Sequence, residues 1–559
     1  MVNILSLPLT MIFSIILLLW ILSRIKAHLF WMYLWQLKNY HIGRFLAHFS
    51  TSAGRQAIFN KTIFIKIILL FGIGYIACAL NPKPVLFWLL PITFFVYAFE
   101  GLYSLFSFLK ARAKLPEFTS KVIFLLPIVF IPLGVISTVF FLFIFNKFPQ
   151  FGAYDILFTG TIFSLATLAF DILTPLIVSL IVLLFQPVTV ILRNRIIKRA
   201  IKKRQSLENL TVIGITGSFG KSSVKEFLKT ILGVSFKVVS TEKNKNSEIG
   251  ISETILGQVN EEHEIFICEM GAYNRGGIKL LCDIAGPKIG ILTGIGNQHL
   301  ATFGSQTNLI KAKFELINAL PEEGLAVLNW DSRLIRENFK EDKNSMKYGL
   351  EKQEDIWAED INIGKFSVSF DAVFKTKDKI KVQVGLIGGQ NIVNLLAAIG
   401  LAKRLGMENE EILRGIGNIR AKQGGLDAVK TKQNFYLANS SYSMNINGAN
   451  AHLDYLKVWD TQKIFVMPCL IELGADAKQA HYELGKKIGK VCDYLIVTTN
   501  DYFKQIKKGA IESGMSASKI FLIQNAESQY KKITALASAG DIVFLEGRVS
   551  DYLVNKLNA

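Results

Sequence analysis

Between residues 4 and 192 the sequence consists mainly of apolar runs long enough to cross a bilayer, and this feature limits the fold more than any other. Backbone N–H and C=O groups inside a bilayer have no water to bond to, so such runs, about 20 residues each, must be helical. Residues 4–22, 62–80, 85–109 and 122–145 meet that length, and 153–192 offers a further long stretch. The first run has no basic segment before it and no small-residue cleavage site, so it reads as a retained anchor rather than a signal peptide.

Charge gives the orientation. The chain carries a net +19 over 559 residues, yet residues 1–205 hold 20 Lys or Arg against only Glu100, Glu117, Asp155 and Asp171, while the remainder is near balance. The basic residues fall in the segments 23–61 (Arg24, Lys26, Lys38, Arg44, Arg55, Lys61) and 110–121 (Lys110, Arg112, Lys114, Lys121), and in a cluster from Arg193 to Arg204. Such loops stay on the cytoplasmic side. With the N-terminus outside, four spans end outside at Lys147 and a single crossing by 153–192 makes five, the surplus near 154–168 being interfacial or re-entrant. Six spans with the N-terminus inside satisfy the same rule. A surplus confined to loops between apolar spans is a topology signal, so nucleic acid is not an expected partner. Glu100 and Asp171 lie in or beside apolar runs, where a charge is expensive; each reads either as a functional group or as an acid neutralised by a neighbour. Five scattered cysteines without a CxxC spacing give neither a disulfide framework nor a zinc site, and suit a reducing compartment.

After the basic cluster the pattern changes to short apolar strands alternating with amphipathic helices, as in a parallel α/β sheet. Leu210–Ile215 reads as a buried strand, Thr216-Gly-Ser-Phe-Gly-Lys-Ser-Ser223 follows, and Val224, Phe227, Leu228, Ile231 and Leu232 then recur on one face of a helix. Strand, glycine loop with Gly-Lys-Ser, and helix together make a phosphate-binding loop. Small residues let backbone N–H groups curl around phosphate oxygens, the helix N-terminus adds its dipole, Lys221 meets the β- and γ-phosphates, and Ser222 reaches Mg²⁺. The strict GxxxxGK[ST] pattern wants glycine where this chain has Ile215. The expected nucleotide-binding residues are Thr216, Gly217, Ser218, Gly220, Lys221, Ser222 and Ser223.

The string Gly214-Ile-Thr-Gly-Ser-Phe-Gly-Lys-Ser-Ser-Val-Lys-Glu226 resembles the variant loop of the Mur ligase family, closest to its MurF branch. Further blocks follow in family order: Thr241–Gly250, Glu269–Gly277, His299–Gly304 with Lys311–Glu315, and Gly389–Ala398. The resemblance covers roughly residues 210–420 well and the rest more loosely. Together with the apolar runs it gives a multi-domain fold: an α-helical transmembrane domain with its basic linker (1–205), read from the runs, and, as the resemblance implies, an α/β P-loop ATPase domain (206–421) and a Rossmann-like α/β C-terminal domain (422–559).

Glu269 ends the apolar run Ile265–Cys268, and an acid at the carboxyl end of a parallel strand faces the ligand crevice. With Ser222 it makes a candidate Mg²⁺ site. The resemblance adds His299 near a second Mg²⁺, Lys313 as a lysine that forms a carbamate with CO₂ (Lys311 being the near alternative), and Asn391 and Asn394 at the start of a nucleotide-contacting helix. It implies that ATP activates a substrate carboxylate as an acyl phosphate, which an amine converts to an amide, with Lys221, His299 and Lys313 catalytic. The implied partners are a cell-wall precursor carboxylate, an amino acid or dipeptide amine, and membrane lipid, the catalytic domains lying on the cytoplasmic side of a multi-pass cell-membrane protein. Two departures stand out. Membrane spans occupy the place of the family's uridine-diphosphate-binding domain, and the C-terminal motifs are altered: Asn439 and Ser440 stand for aspartates, Gly425 falls near an expected arginine, and Glu546 replaces a lysine. A nucleotide-binding membrane scaffold and a poly-γ-glutamate-synthase-like ligase fit the same blocks.

Overall fold

The computed structural model describes residues 6–558 apart from 39, 41, 50–51, 78–82, 111–112, 148–152, 243–244, 273, 297–302, 342, 353–354, 441–444, 471–472 and 474–475. It divides into two compact units, 1–192 and 193–559.

The first unit is helical. Its long helices are α1 (Ser6–Leu37), α2 (Lys61–Ala77), α3 (Lys83–Leu109), α4 (Ser120–Lys147) and α5 (Ala153–Leu184). Five segments, 14–37, 54–73, 91–109, 120–142 and 161–184, are long and apolar enough to cross a membrane. Trp20, Trp35 and Tyr97 are buried between helices, while Phe71, Phe95 and Leu180 are exposed on outward faces. Two expectations are corrected here. Residues 154–168 belong to one continuous helix, α5, and form no re-entrant segment. The first apolar helix does not end at residue 22: α1 continues to Leu37, so Arg24 and Lys26 stand inside a helix and not in a loop.

The reason lies in pairing. Arg24 Nε is 3.0 Å from Asp171 Oδ1 and its Nη2 is 3.2 Å from Glu100 Oε2. Lys66 Nζ lies 2.6 Å from Glu100 and 2.5 Å from Asp171, and Trp20 Nε1 donates to Asp171 at 2.9 Å. Two cations and two acids from four helices neutralise one another, which lets charged residues sit within apolar helices that an apolar count would close.

The second unit begins inside α6 (Gln186–Gln205), where Ile197 and Ala200 are buried and Lys203 Nζ donates to the Leu256 carbonyl at 3.0 Å. Its larger sheet has nine strands in the order β2-β3-β1-β4-β5-β6-β7-β8-β9. These are β1 (Thr211–Thr216), β2 (Val238–Ser240), β3 (Ile265–Glu269), β4 (Ile289–Leu292), β5 (Leu325–Asn329), β6 (Ser345–Tyr348), β7 (Ile356–Ile363), β8 (Val368–Phe374) and β9 (Lys379–Val384). The first seven are parallel and β8 and β9 add as antiparallel strands.

Helices cover both faces because side chains alternate along buried strands. Ile213 and Ile215 of β1 pack with α7 (Lys221–Leu232), α11 (Gln390–Arg404) and α12 (Asn409–Gly417). Val212 joins the opposite core with α8 (Glu248–Gly257), α9 (Gly277–Ala285) and α10 (Gln306–Asn318). Thus β1 feeds a helix on one face while its neighbours β3 and β4 feed helices on the other. The carboxyl end of β1 is therefore a topological switch point, where open α/β sheets bind ligands.

The smaller sheet runs β10-β11-β15-β12-β13-β14. Its strands are β10 (Asp427–Lys430), β11 (Tyr436–Ser440), β12 (Lys463–Met467), β13 (Tyr494–Val497), β14 (Ile520–Leu522) and β15 (Ile542–Glu546). All but β10 are parallel. Helices α13 (Ile446–Leu456), α14 (Ala477–Val491) and α15 (Phe503–Glu512) cover one face, and α16 (Ala526–Leu536) and α17 (Asp551–Asn558) the other.

Candidate active site

The loop from Thr216 to Lys221 joins β1 to α7 and is drawn tight by its neighbours. Ser218 N donates to the Gly294 carbonyl at 2.8 Å, Gly296 N to Ser218 Oγ at 3.1 Å, and Thr293 Oγ1 to the Phe219 carbonyl at 2.5 Å. Gly217 has φ 153°, and a Cβ there would lie 2.1 Å from Thr293 Oγ1; Gly220 has φ 80°, and a Cβ there would lie 2.5 Å from Asn394 Oδ1. These are the positions at which the loop needs glycine. Ile215 is a buried residue of β1, so the strict motif's first glycine answers no requirement of this loop.

Lys221 opens α7 and folds back so that Nζ donates to the Gly217 carbonyl at 2.8 Å. Burial lowers its pKa from the ordinary lysine value, and Glu269 partly offsets this. Ser222 is exposed on the same turn and its Oγ donates to Glu269 Oε2 at 2.8 Å. Asn246 Nδ2 donates to Glu269 Oε1 at 3.1 Å, and Glu269 N donates to Thr241 Oγ1 at 3.0 Å. Lys225, 1 % exposed, donates to the Thr241 carbonyl at 2.8 Å and stands 3.6 Å from Glu269 Oε2. A carboxylate at the end of β3 is thus fixed by two donors, with a buried cation 3.6 Å away, beside a phosphate-binding loop.

The donor set fits Mg²⁺. Ser222 and Glu269 present two hard oxygens, and Mg²⁺ commonly takes one or two protein ligands while keeping waters and substrate phosphates. Among the described residues no group of three His, Cys, Asp or Glu forms a closed metal cage. His299 lies outside the described residues.

Other expected residues separate. Lys313 is buried on α10 whereas Lys311 is exposed. Burial, and then the neighbouring Lys221, push the Lys313 pKa down to about 7. A lysine with that value presents much of its amine in the neutral, nucleophilic form near neutral pH. Asn394 meets the loop at Gly220, and Ser223 Oγ lies 3.8 Å from where a Cβ on Gly425 would be. Asn391 stands apart from them: it is fully buried, with Nδ2 donating to the Ile387 carbonyl at 2.9 Å and the Gly424 carbonyl at 3.4 Å, and so ties α11 to the following segment.

Lys225, Asn246 and Thr293 were not singled out by the sequence, although the first two lie in the quoted blocks. Lys225 did leave a trace, since it occupies a position three before Leu228, on the apolar stripe of α7. A lysine there needs a buried partner.

A mostly parallel sheet in which β1 ends in a glycine loop, with Lys221 and Ser222 at a helix N-terminus and Ser222 bonded to a glutamate that ends the neighbouring strand, defines a P-loop nucleotide-binding protein. Residues 215–402 match the Mur ligase middle domain and 426–549 the Mur ligase glutamate ligase domain, together more than half of the chain. The chain belongs to the Mur ligase family. A UDP-N-acetylmuramoyl-tripeptide D-alanyl-D-alanine ligase from Synechocystis sp. is 31% identical over 302 residues, 52% of this chain and 62% of the relative. The enzyme of that name from Escherichia coli is 29% identical over 284 residues, 49% of this chain and 61% of the relative. The chain thus spans less than two thirds of those relatives. MurF from Thermotoga maritima, solved in complex with ADP, superposes with a TM-score of 0.59 at 24% identity over 66% of this chain and 83% of that one. MurF from Acinetobacter baumannii gives 0.59 at 22% identity over 65% and 80%. At those identities the likeness is one of fold.

Proposed function

We propose that this chain is an ATP-dependent carbon–nitrogen ligase that joins a cell-wall precursor carboxylate to an amine, working at the cell membrane. The observation that carries the reading is the convergence of Lys221, Ser222 and Glu269 at the switch point of the larger sheet, with buried Lys313 near Lys221. The ATP-binding domain is assigned to 206–421 and the C-terminal domain to 422–559, with both on the cytoplasmic side of five spans.

In this reading the loop N–H groups from Phe219 to Lys221 and the start of α7 hold the phosphates, and Lys221 leaves the Gly217 carbonyl to meet the β/γ oxygens. A substrate carboxylate oxygen attacks the γ-phosphorus, and ADP leaves. The amine nitrogen then attacks the acyl carbon, phosphate leaves and a proton is released, giving the amide. Ser222, Glu269 and, as the resemblance implies, His299 would hold Mg²⁺, which would supply positive charge to the transferring phosphoryl group. Lys225, Asn246 and Thr241 keep Glu269 oriented, and Lys313 is assigned the carbamate-forming role.

The substrate is assigned as lipid-linked. Membrane spans stand where the family carries its uridine-binding domain, and anchoring confines enzyme and lipid to one surface, which raises their effective concentration. The test is product analysis by mass spectrometry with the full chain in detergent, ATP, Mg²⁺, a panel of amines, and soluble or lipid-linked precursors. Amide with lipid-linked precursor is expected. Amide only with soluble precursor refutes the lipid assignment, and nucleotide binding without amide from any pair leaves the scaffold reading, to which the altered Asn439, Ser440 and Glu546 lend support.

A further inference from the structure

The smaller sheet has a switch point of its own. Strands β11, β12 and β13 lead into α13, α14 and α15 on one face, whereas β14 and β15 lead into α16 and α17 on the other. In space β15 lies between β11 and β12. Its following helix therefore leaves opposite to those of both neighbours, the arrangement at whose carboxyl end open α/β sheets bind ligands.

The residue at that end is Glu546. Val543 and Leu545 of β15 pack toward α16 and α17, while Ile542 and Phe544 pack toward α13 and α14. The alternation turns Glu546 to the α13 side, where its Oε2 lies 2.6 Å from His452 Nδ1. The Glu546 side chain is only 1% exposed, and its second oxygen, Oε1, is buried without a hydrogen-bond partner among the described residues. Among the described residues His452 is the one basic group paired with it, and Arg548, two residues on, is exposed. The contact with His452 occupies Oε2 and leaves Oε1 open. A buried carboxylate oxygen without a donor is costly for a fold to keep, and at a ligand crevice it is suited to receive an N–H cation.

We infer that Glu546, positioned by His452, binds an ammonium group of the amino donor, and that this ammonium is a second one and not the reacting amine. The reacting nitrogen must meet the acyl carbon as a free base, whereas a buried carboxylate favours the protonated form of whatever amine it touches. The donor class is therefore an amino acid or short peptide bearing an additional basic group. Calling the ligand an amino donor rests on the ligase reading; the cation site does not.

The test uses the full chain in detergent with a non-hydrolysable ATP analogue and Mg²⁺, titrated calorimetrically with racemic lysine and with racemic norleucine, which lacks the second ammonium. Lysine is expected to bind at least tenfold more tightly than norleucine, Glu546→Gln to abolish that preference, and Glu546→Asp to keep part of it. Unchanged analogue affinity in Glu546→Gln shows that the variant is folded. Equal affinity for the two amino acids, binding of neither by a chain that binds the analogue, or a preference that survives Glu546→Gln overturns the inference. Glu546-dependent lysine binding with no amide from any precursor would instead count against the ligase reading alone.

Discussion

Replacing Lys225 by Met tests whether Glu269 is held as a charged group in a buried network. The thioether fills the aliphatic stem of a side chain that is 1% exposed but removes the cation 3.6 Å from Glu269 Oε2 and the donor to the Thr241 carbonyl. Breaking one side of a buried ion pair costs about 3–5 kcal/mol, because the remaining charge is left uncompensated. The low end applies here, about 3 kcal/mol, since Glu269 keeps Ser222 and Asn246 as donors. Glu226, 3.5 Å from Lys225 but 30% exposed, adds little. With a urea dependence of about 3 kcal/mol per molar for a unit of this size, the midpoint should fall by about 1 M. Adding Glu269→Gln removes the orphaned charge, so the double variant should regain about 1–2 kcal/mol while binding Mg²⁺–nucleotide worse than either parent. Urea unfolding of the full chain in detergent, followed by pulse proteolysis of the α/β unit, measures the first quantity and calorimetry with an ATP analogue the second. An unchanged midpoint in Lys225→Met, or a double variant less stable than Lys225→Met, refutes the reasoning.

Lys221→Ala removes a charged donor worth about 1.5–3 kcal/mol, so calorimetry should show nucleotide affinity about 10- to 150-fold weaker, and equal affinity would contradict the loop's role. Burial holds the Lys313 pKa near 7 against an unfolded value of 10.5, so the unfolded chain binds more protons there between about pH 7 and 10.5. Stability should rise with pH across that window, and Lys313→Met should flatten the rise in thermal denaturation. Asp171→Asn leaves Arg24 and Lys66 sharing Glu100 alone and should destabilise the helical unit by about 3 kcal/mol, with Lys66→Met restoring part of the loss. Thermal inactivation in detergent that leaves the single variant as stable as wild type would refute that network.

Local features were legible in the sequence because their causes are local. The periodicity of α7, the strand before it and the glycines at 217 and 220 follow from neighbours in the chain. The extent of α1 was not legible, because what permits Arg24 in an apolar helix is a pair of acids on α3 and α5. A window that counts apolar residues stops at a charge, whereas the folded helix stops only where its backbone does. The two asparagines of the Gly389 block show the same limit at finer scale: three residues apart on α11, Asn394 meets Gly220 while Asn391 turns to the Ile387 and Gly424 carbonyls. Their composition is identical and only the packing of the preceding segment separates them.

The two sheets also explain why one site was readable and the other was not. The larger sheet places its switch point at β1, whose ligand contacts are written consecutively as Gly-Ser-Phe-Gly-Lys-Ser, so the loop declares itself. In the smaller sheet the strand at the switch is β15, inserted between β11 and β12 by topology, and its Glu546 meets a histidine on α13 nearly a hundred residues earlier. Neither residue belongs to a spacing that a sequence scan can weigh. Both sheets obey the same rule, that a strand whose helix departs opposite to its neighbours' leaves a crevice at its carboxyl end. In the proposed reaction one switch point would serve the phosphates that activate a carboxylate and the other the amine that replaces them, and in each sheet the strand end concerned carries a glutamate.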